Sequence, residues 1–255
     1  MRKLAVLLGL AAAACTSGAK DSVTLNARVT SAGGAQAADG GAQAATGIEL
    51  TRVRIAVRRL RVERRDAGTE VKISEGPLLV DASGTALAGA LVQVVTSAVL
   101  PGTYDKLKVD IHPVTSAPAG PFDDLVKGGY SVLVEGKAGG QPFTFASAME
   151  AELEHEGRFD IGGTATNITL NLDASKWFVA ADGSLLVPAD ASKQAAIEAN
   201  IRSSFSAFED DDEDGHEDHH GDGDHDGGPD DGDHDGGPDD GDHREHDGGV
   251  DGGHR

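Results

Sequence analysis

The chain has 255 residues, with 43 Asp and Glu against 22 Lys and Arg, a formal net charge of −21 and one cysteine. That excess of carboxylates argues against nucleic acid as a partner, because phosphate backbones are gripped by Lys and Arg, and a lone cysteine excludes an internal disulfide. The charge is uneven: residues 209–255 hold 21 of the acidic residues and 2 of the basic ones, hence −19 of the −21, so the rest has the balance of an ordinary soluble domain.

At the start, Arg2 and Lys3 precede an apolar run from Leu4 to Ala14 that stops at Cys15, the layout of a secretion signal. The run is shorter than the roughly 20 residues a spanning helix needs. The junction Ala12-Ala13-Ala14-Cys15 resembles the lipobox of bacterial lipoproteins, with Ala at position 12 where Leu is usual. The resemblance implies cleavage after residue 14 and acylation of Cys15. Several acyl chains then anchor the protein to a membrane where one would be marginal. Thr16, where an Asp is absent, resembles lipoproteins sent on to the outer membrane. The alternative is an ordinary signal peptide that leaves Cys15 as a free thiol. The expected organisation is a signal over 1–14, an anchored linker over 15–22, a folded domain over 23–208 and a tail over 209–255.

From Ser22 to about Val187 apolar residues recur with period two, as in Val23, Leu25, Ala27, Val29 and in Val53, Ile55, Val57. Such alternation marks half-buried strands. Similar runs cover 91–95, 107–111, 130–134, 143–145 and 168–172, with turn signals at Pro101-Gly102, Gly128-Gly129, Gly139-Gly140 and Gly162-Gly163. Seven or eight short strands so punctuated predict an all-β fold, an immunoglobulin-like or transthyretin-like two-sheet β-sandwich. Residues 33–45, rich in Gly, Ala and Gln, read as a flexible insertion between the first two strands. Asp190 is placed to cap one C-terminal helix carrying Ile197, Ile201 and Phe205 on a single face. The carboxylates from Glu209 onward oppose the helix dipole and are expected to help end it.

The stretch Val99-Leu100-Pro101-Gly102-Thr103-Tyr104, the strand after it, Leu50 to Val57 and Leu78 to Asp81 together resemble the bacterial lipoprotein family named domain of unknown function 4382. The likeness covers roughly residues 22–173. It implies a β-sandwich on the cell surface or in the periplasm and carries over no catalytic residues.

No nucleophile elbow, His-Glu-x-x-His motif or phosphate loop occurs, and His112 and His155 have no partner the sequence can name. The expectation is therefore a protein that is not an enzyme. Along 52–62, Arg52, Arg54, Arg58 and Arg61 interleave with apolar residues, and the doubled Arg58-Arg59 suggests a β-bulge. A second strand, 150–156, sets Glu150, Glu152, Glu154 and Glu156 on one face. The two stripes are expected to pair across neighbouring strands; alternatively the arginines hold an anionic ligand or the acidic tail.

The tail repeats DGDHDGGPD in register. Three matches to Asp-x-Asp-x-Asp-Gly-x-x-Asp occur: Asp210, Asp212, Asp214 and Asp218; Asp222, Asp224, Asp226 and Asp230; Asp231, Asp233, Asp235 and Asp239. Carboxylates at alternate positions with Gly at the sixth let a loop wrap one Ca²⁺, which takes six to eight hard oxygens. The spacing resembles the calcium loops of EF-hands, dockerins and thrombospondin-type repeats. No Glu stands at the twelfth position, which predicts weak sites, with a Kd of about 10⁻⁴ to 10⁻³ M. His216, His220, His225, His234 and His243 add imidazoles that suit Zn²⁺ or another transition metal. The free tail is expected to be disordered.

Together these readings give a non-enzymatic, lipid-anchored protein of the bacterial cell envelope, at the outer membrane. Its tail binds divalent cations, Ca²⁺ favoured, that bridge to anionic envelope components, and its sandwich is a binding or scaffold module. The alternatives are an adhesin or carbohydrate-binding lipoprotein whose tail is a polyanionic brush, or a Zn²⁺, Ni²⁺ or Cu²⁺ binder acting through the tail histidines. The sequence leaves the oligomeric state open.

Overall fold

Two sheets form, and the sequence periodicity explains why they face one another. In the first strand, β1 (Asp21–Thr30), Val23, Leu25, Ala27 and Val29 are all buried, while the residues between them line the other face. A computed structural model describes residues 21–31, 42–44, 47–117, 119–162, 166–214 and 216–218. The expectations for the signal, for Cys15 and for the repeats beyond residue 219 fall outside the described residues, while Asp21 and Ser22, expected to end the linker, open β1.

The remaining strands are β2 (Ala42–Ala44), β3 (Ile48–Arg64), β4 (Glu70–Ser83), β5 (Ala88–Val99), β6 (Gly102–Ile111), β7 (Val132–Ala138), β8 (Gln141–Ser147), β9 (Ala151–Ile161), β10 (Thr166–Asp173) and β11 (Phe205–Glu209). One sheet has the order β11-β10-β1-β5, with β1 and β10 parallel and the other pairs antiparallel. The other has seven strands built around β3. β4 follows residues 52–63 of β3, while residues 48–55 pair with β7 and residues 57–64 with β6. β6 and β7 therefore lie end to end along β3, and the chain between them leaves the sheet and returns. β9 pairs with β6 and β8 with β7.

The apolar faces meet in one core that includes Leu25, Ile55, Leu60, Leu107, Phe159, Leu170 and Trp177. The excursion between β6 and β7 carries the short helix α1 (Asp123–Gly128). It covers the outer face of the larger sheet, where Phe122 and Leu125 pack with Ala56 and Leu133. The helix α2 (Gln194–Ser203) buries Ile197 and Ile201 in the main core, and Trp177 donates from Nε1 to Ser204 Oγ at 2.8 Å. At the Pro101-Gly102 turn the buried Tyr104 donates its hydroxyl to the Leu100 carbonyl at 2.6 Å, which pins β5 to β6. No helix among the described residues is long and apolar enough to cross a membrane.

The all-β two-sheet sandwich is as the periodicity suggests, and Asp190 accepts a hydrogen bond from the Ser192 N–H at 2.9 Å, capping the 3₁₀ turn that opens α2. Three expectations need correction, and one strand was not singled out. Residues 42–44 pair with 48–50 as β2, so this part of the Gly/Ala/Gln insertion is a strand. β4 is a strand although Gly76 and Pro77 interrupt its pattern. Phe205 does not extend the C-terminal helix, which ends at Ser203; Phe205–Glu209 instead adds an edge strand to β10, with Ala207 and Glu209 buried. Consequently the tail does not begin at residue 209: Glu209 ends β11 and Asp210 is fully buried. The compact unit runs to residue 219.

Candidate metal centre

β11 carries the chain to the edge of the smaller sheet, and the acidic run starts on its last residue. Glu209 is buried, and its Oε1 accepts from the backbone N–H of Asp160 on β9, so it ties one sheet to the other. The N–H of Asp210 donates to the Asn167 carbonyl at 3.0 Å, and its Oδ2 accepts from Thr169 Oγ1 at 2.7 Å. A carboxylate is costly to bury unless hydrogen-bonded, and both strand partners come from β10.

After Asp210 the chain turns back on itself. Glu213 donates its N–H to the Asp210 carbonyl at 3.2 Å and adopts a φ of 58°, alone among the described non-glycine residues in lying in the left-handed region. Asp212 Oδ1 accepts from the Asp214 N–H at 3.2 Å, and Asp214 Oδ1 from the His216 N–H at 2.7 Å. These are Asx turns, in which a short carboxylate side chain satisfies the backbone two residues on. Asp218 closes the loop: its N–H donates to the Glu209 carbonyl at 3.0 Å and its Oδ2 accepts from the Asp211 N–H at 2.5 Å. Asp211 Oδ1 in turn accepts from the Asn167 N–H at 2.9 Å, fastening the loop to β10.

This folding brings one carboxylate oxygen each from Asp210, Asp212 and Asp214 within 4.8 Å of one another. Oxygens on a single Ca²⁺ sit about 2.3–2.6 Å from the ion, so oxygens up to roughly 5 Å apart can share it. The three carboxylates could hold a metal ion. Asp210 forms the buried floor, and Asp212 and Asp214 stand exposed above it. The donor set is all hard oxygen, the kind that suits magnesium, calcium and manganese alike. Of the ligands expected from sequence, Asp218 and His216 lie in the loop but outside this group. Asp222, Asp224, Asp226, Asp230, Asp231, Asp233, Asp235, Asp239, His220, His225, His234 and His243 lie outside the described residues. Sequence reasoning missed the supporting residues Thr169, Asn167 and Glu209, which β10 and β11 bring to the loop from distant parts of the chain.

Beside the loop, His155 on β9 packs edge-on to Phe159, their ring centroids 6.5 Å apart. Burial pushes its pKa below the ordinary value, partly offset by the charge of Glu217.

The arginine and glutamate stripes do not lie on neighbouring strands, because β6 runs between β3 and β9. They meet through it. Arg61 reaches Glu70 at 2.7 Å, Glu152 at 2.8 Å and the buried Asp110 at 3.0 Å. Burial pulls its pKa down, but the hydrogen bonds it donates to Glu70 and Glu152 and the charge of Asp110 outweigh this and hold it above the ordinary value. Lys106 and Lys108 on β6 bridge to Glu154 at 2.8 and 3.6 Å. Arg52 forks onto Asp81, and the buried Arg54 onto Asp124 at 2.9 Å and Glu135 at 3.3 Å. The hydrogen bond from Arg54, with its charge, holds Asp124 below the usual carboxylate range. Arg52, Arg54 and Arg61 are thereby each paired with carboxylates of this chain.

No family model matches the chain, and no curated protein matches it. Among solved structures it is similar to MbnP from Methylosinus trichosporium at 13% sequence identity, over 74% of this chain and 99% of that one, with a TM-score of 0.45.

Proposed function

We propose that this is a non-enzymatic, lipid-anchored protein of the bacterial outer membrane whose loop 210–218 holds a divalent cation, calcium in preference to zinc. The observation that carries the cation reading is the approach of the Asp210, Asp212 and Asp214 carboxylates to within 4.8 Å. Like charges that close repel, and a bound cation removes the repulsion. Gly215, at the sixth position, fits the sharp turn such loops require. With Asp210 already held by Thr169, this site starts better ordered than free repeats, and ordering the chain is the main entropic cost of weak loops.

The anchor reading rests on the Ala12-Ala13-Ala14-Cys15 junction. The same proposal takes the Leu100 to Tyr104 turn and its flanking strands as those of the family named domain of unknown function 4382. Further Asp/Gly/His repeats would extend the cation capacity outward, and cations shared with anionic envelope groups would bridge the protein to its surroundings. Two experiments test it. Labelled palmitate should enter the wild-type chain and not Cys15→Ser; equal labelling contradicts the anchor. A chain ending at residue 219 should keep one calcium site that Asp212→Asn with Asp214→Asn removes; unchanged binding by that variant contradicts the loop.

A further inference from the structure

β3 carries one residue too many at Arg58. Val57 pairs with Ile111 and Arg59 with Asp110, so Arg58 has no counterpart on β6. On the other edge the imbalance reverses, because Val57 pairs with Leu78 and Arg59 with Glu75, which sets Gly76 and Pro77 of β4 against Arg58. Gly76 has a φ of 126°, which side-chain-bearing residues avoid, and Pro77 has no N–H to offer a ladder. Bulges of this kind re-aim a side chain out of the regular pleat. Just beyond, β6 leaves the sheet at His112-Pro113. The space between the β4 bulge and the departing chain is a groove of about 290 Å³, lined by Arg58, Pro77, His112, Val114, Thr115 and Ser116 among others.

Arg58 is the cation of that groove, and its charge is incompletely matched. Its side chain is 50% exposed, and its nearest carboxylate oxygen, Asp110 Oδ2, lies 3.7 Å from Nη2, beyond hydrogen-bond reach. Asp110 is moreover shared: Arg61 holds its Oδ1 at 3.0 Å, and Arg59 Nε stands 3.6 Å from the same Oδ2. Arg61 has Glu70 and Glu152 as well. Among the described residues, Arg58 and Arg59 have no second carboxylate within ion-pair distance. Three guanidiniums therefore surround one buried carboxylate, while a further carboxylate, Glu150, lies against His112 of the groove lining, its Oε1 2.9 Å from Nε2.

We propose that this groove binds a single anionic group, a carboxylate or a phosphate, carried on a body the size of one monosaccharide. The guanidinium of Arg58 supplies two parallel donors, the fork that recognises either group. The exposed hydroxyls of Thr115 and Ser116 supply further donors, and Pro77, Pro113 and Val114 give an apolar wall for a ring. The volume lies at the small end of ligand pockets, roughly 300–1,000 Å³, which limits the occupant to one compact unit. The site is separate from the cation loop and independent of it.

The test is calorimetric titration of the full chain in EDTA, which removes divalent ions, with D-glucuronate, glucose 6-phosphate and neutral D-glucose. At least one anion binds saturably and glucose does not; the tighter anion identifies the head group. Arg58→Gln weakens that binding at least tenfold, while Arg65→Gln, an exposed arginine outside the groove, leaves it unchanged. Ser116→Glu, on an exposed turn, sets a carboxylate against the ligand and produces the same loss even if Arg58→Gln folds poorly. Glucose binding as tightly as the anions, full-strength binding by both groove variants, or no saturable binding of either anion would overturn the proposal.

Discussion

Thr169 and Asp210 are both fully buried, and the threonine hydroxyl donates to the aspartate Oδ2 at 2.7 Å. This bond makes the first acidic loop part of the sandwich, since one partner is in the middle of β10 and the other is the first candidate ligand. Thr169→Val keeps the shape and removes the donor, leaving a buried carboxylate short of a partner. Hydrogen bonds to charged groups contribute about 1.5–3 kcal/mol. Urea unfolding should show a loss of that size, and calcium affinity should fall with it.

Gly136 on β7 is opposite Leu50 of β3. A Cβ there would lie 2.3 Å from the Glu49 carbonyl oxygen and 2.9 Å from the Phe143 ring. The backbone oxygen cannot move without breaking the ladder between β3 and β7. Gly136→Ala should therefore destabilise the fold by about 2–3 kcal/mol, near the top of the usual range for overpacking. A midpoint of unfolding equal to wild type would show that the two strands are held less closely.

His155 sets a pH dependence. Burial lowers its folded-state pKa from the ordinary 6.5, with Glu217 opposing the shift. Below pH 6.5 the unfolded chain binds the proton and the folded chain does not, until the lowered pKa is reached. Stability attributable to this ring is then present above pH 6.5 and is lost as pH falls through the window beneath it. His155→Gln should flatten that part of the stability profile, measured by urea unfolding between pH 7.5 and pH 5, whereas an unchanged slope would assign it to other groups.

β1, the middle of β3, β6 and β10 were legible in the sequence because apolar residues alternate along them and fill the main core from one face, even where the other face is covered too, as at Arg54 and Ala56 of β3 and Thr169 of β10. β4 was obscured by Gly76-Pro77, which breaks the local pattern where β3 bulges. β11 was hidden because Phe205 falls four residues after Ile201, the spacing of a helix face, while Ser204 already marks the C-cap. The bulge at Arg58-Arg59 was readable from the doubled arginine. Pairing of the basic and acidic stripes through Lys106, Lys108 and Asp110 was not, since strand order is a long-range property. The same limit applies to the candidate site: the spacing of Asp210, Asp212 and Asp214 was visible, but the donors from β10 that hold the loop belong to a strand some 40 residues away in the chain.

The most direct measurement is the thermal midpoint of the full chain with and without calcium, beside the Asp212→Asn, Asp214→Asn variant. An ion held by repeats that bind whether or not the sandwich is folded does not change its stability, whereas an ion on the loop attached to Asp210 does. At a hundredfold excess over Kd the stabilisation is about 2.7 kcal/mol, which for a domain of this size corresponds to a rise of roughly 5–10 °C. The account predicts that rise for the wild type and its absence in the variant. An equal rise in both, or none in either, would contradict it.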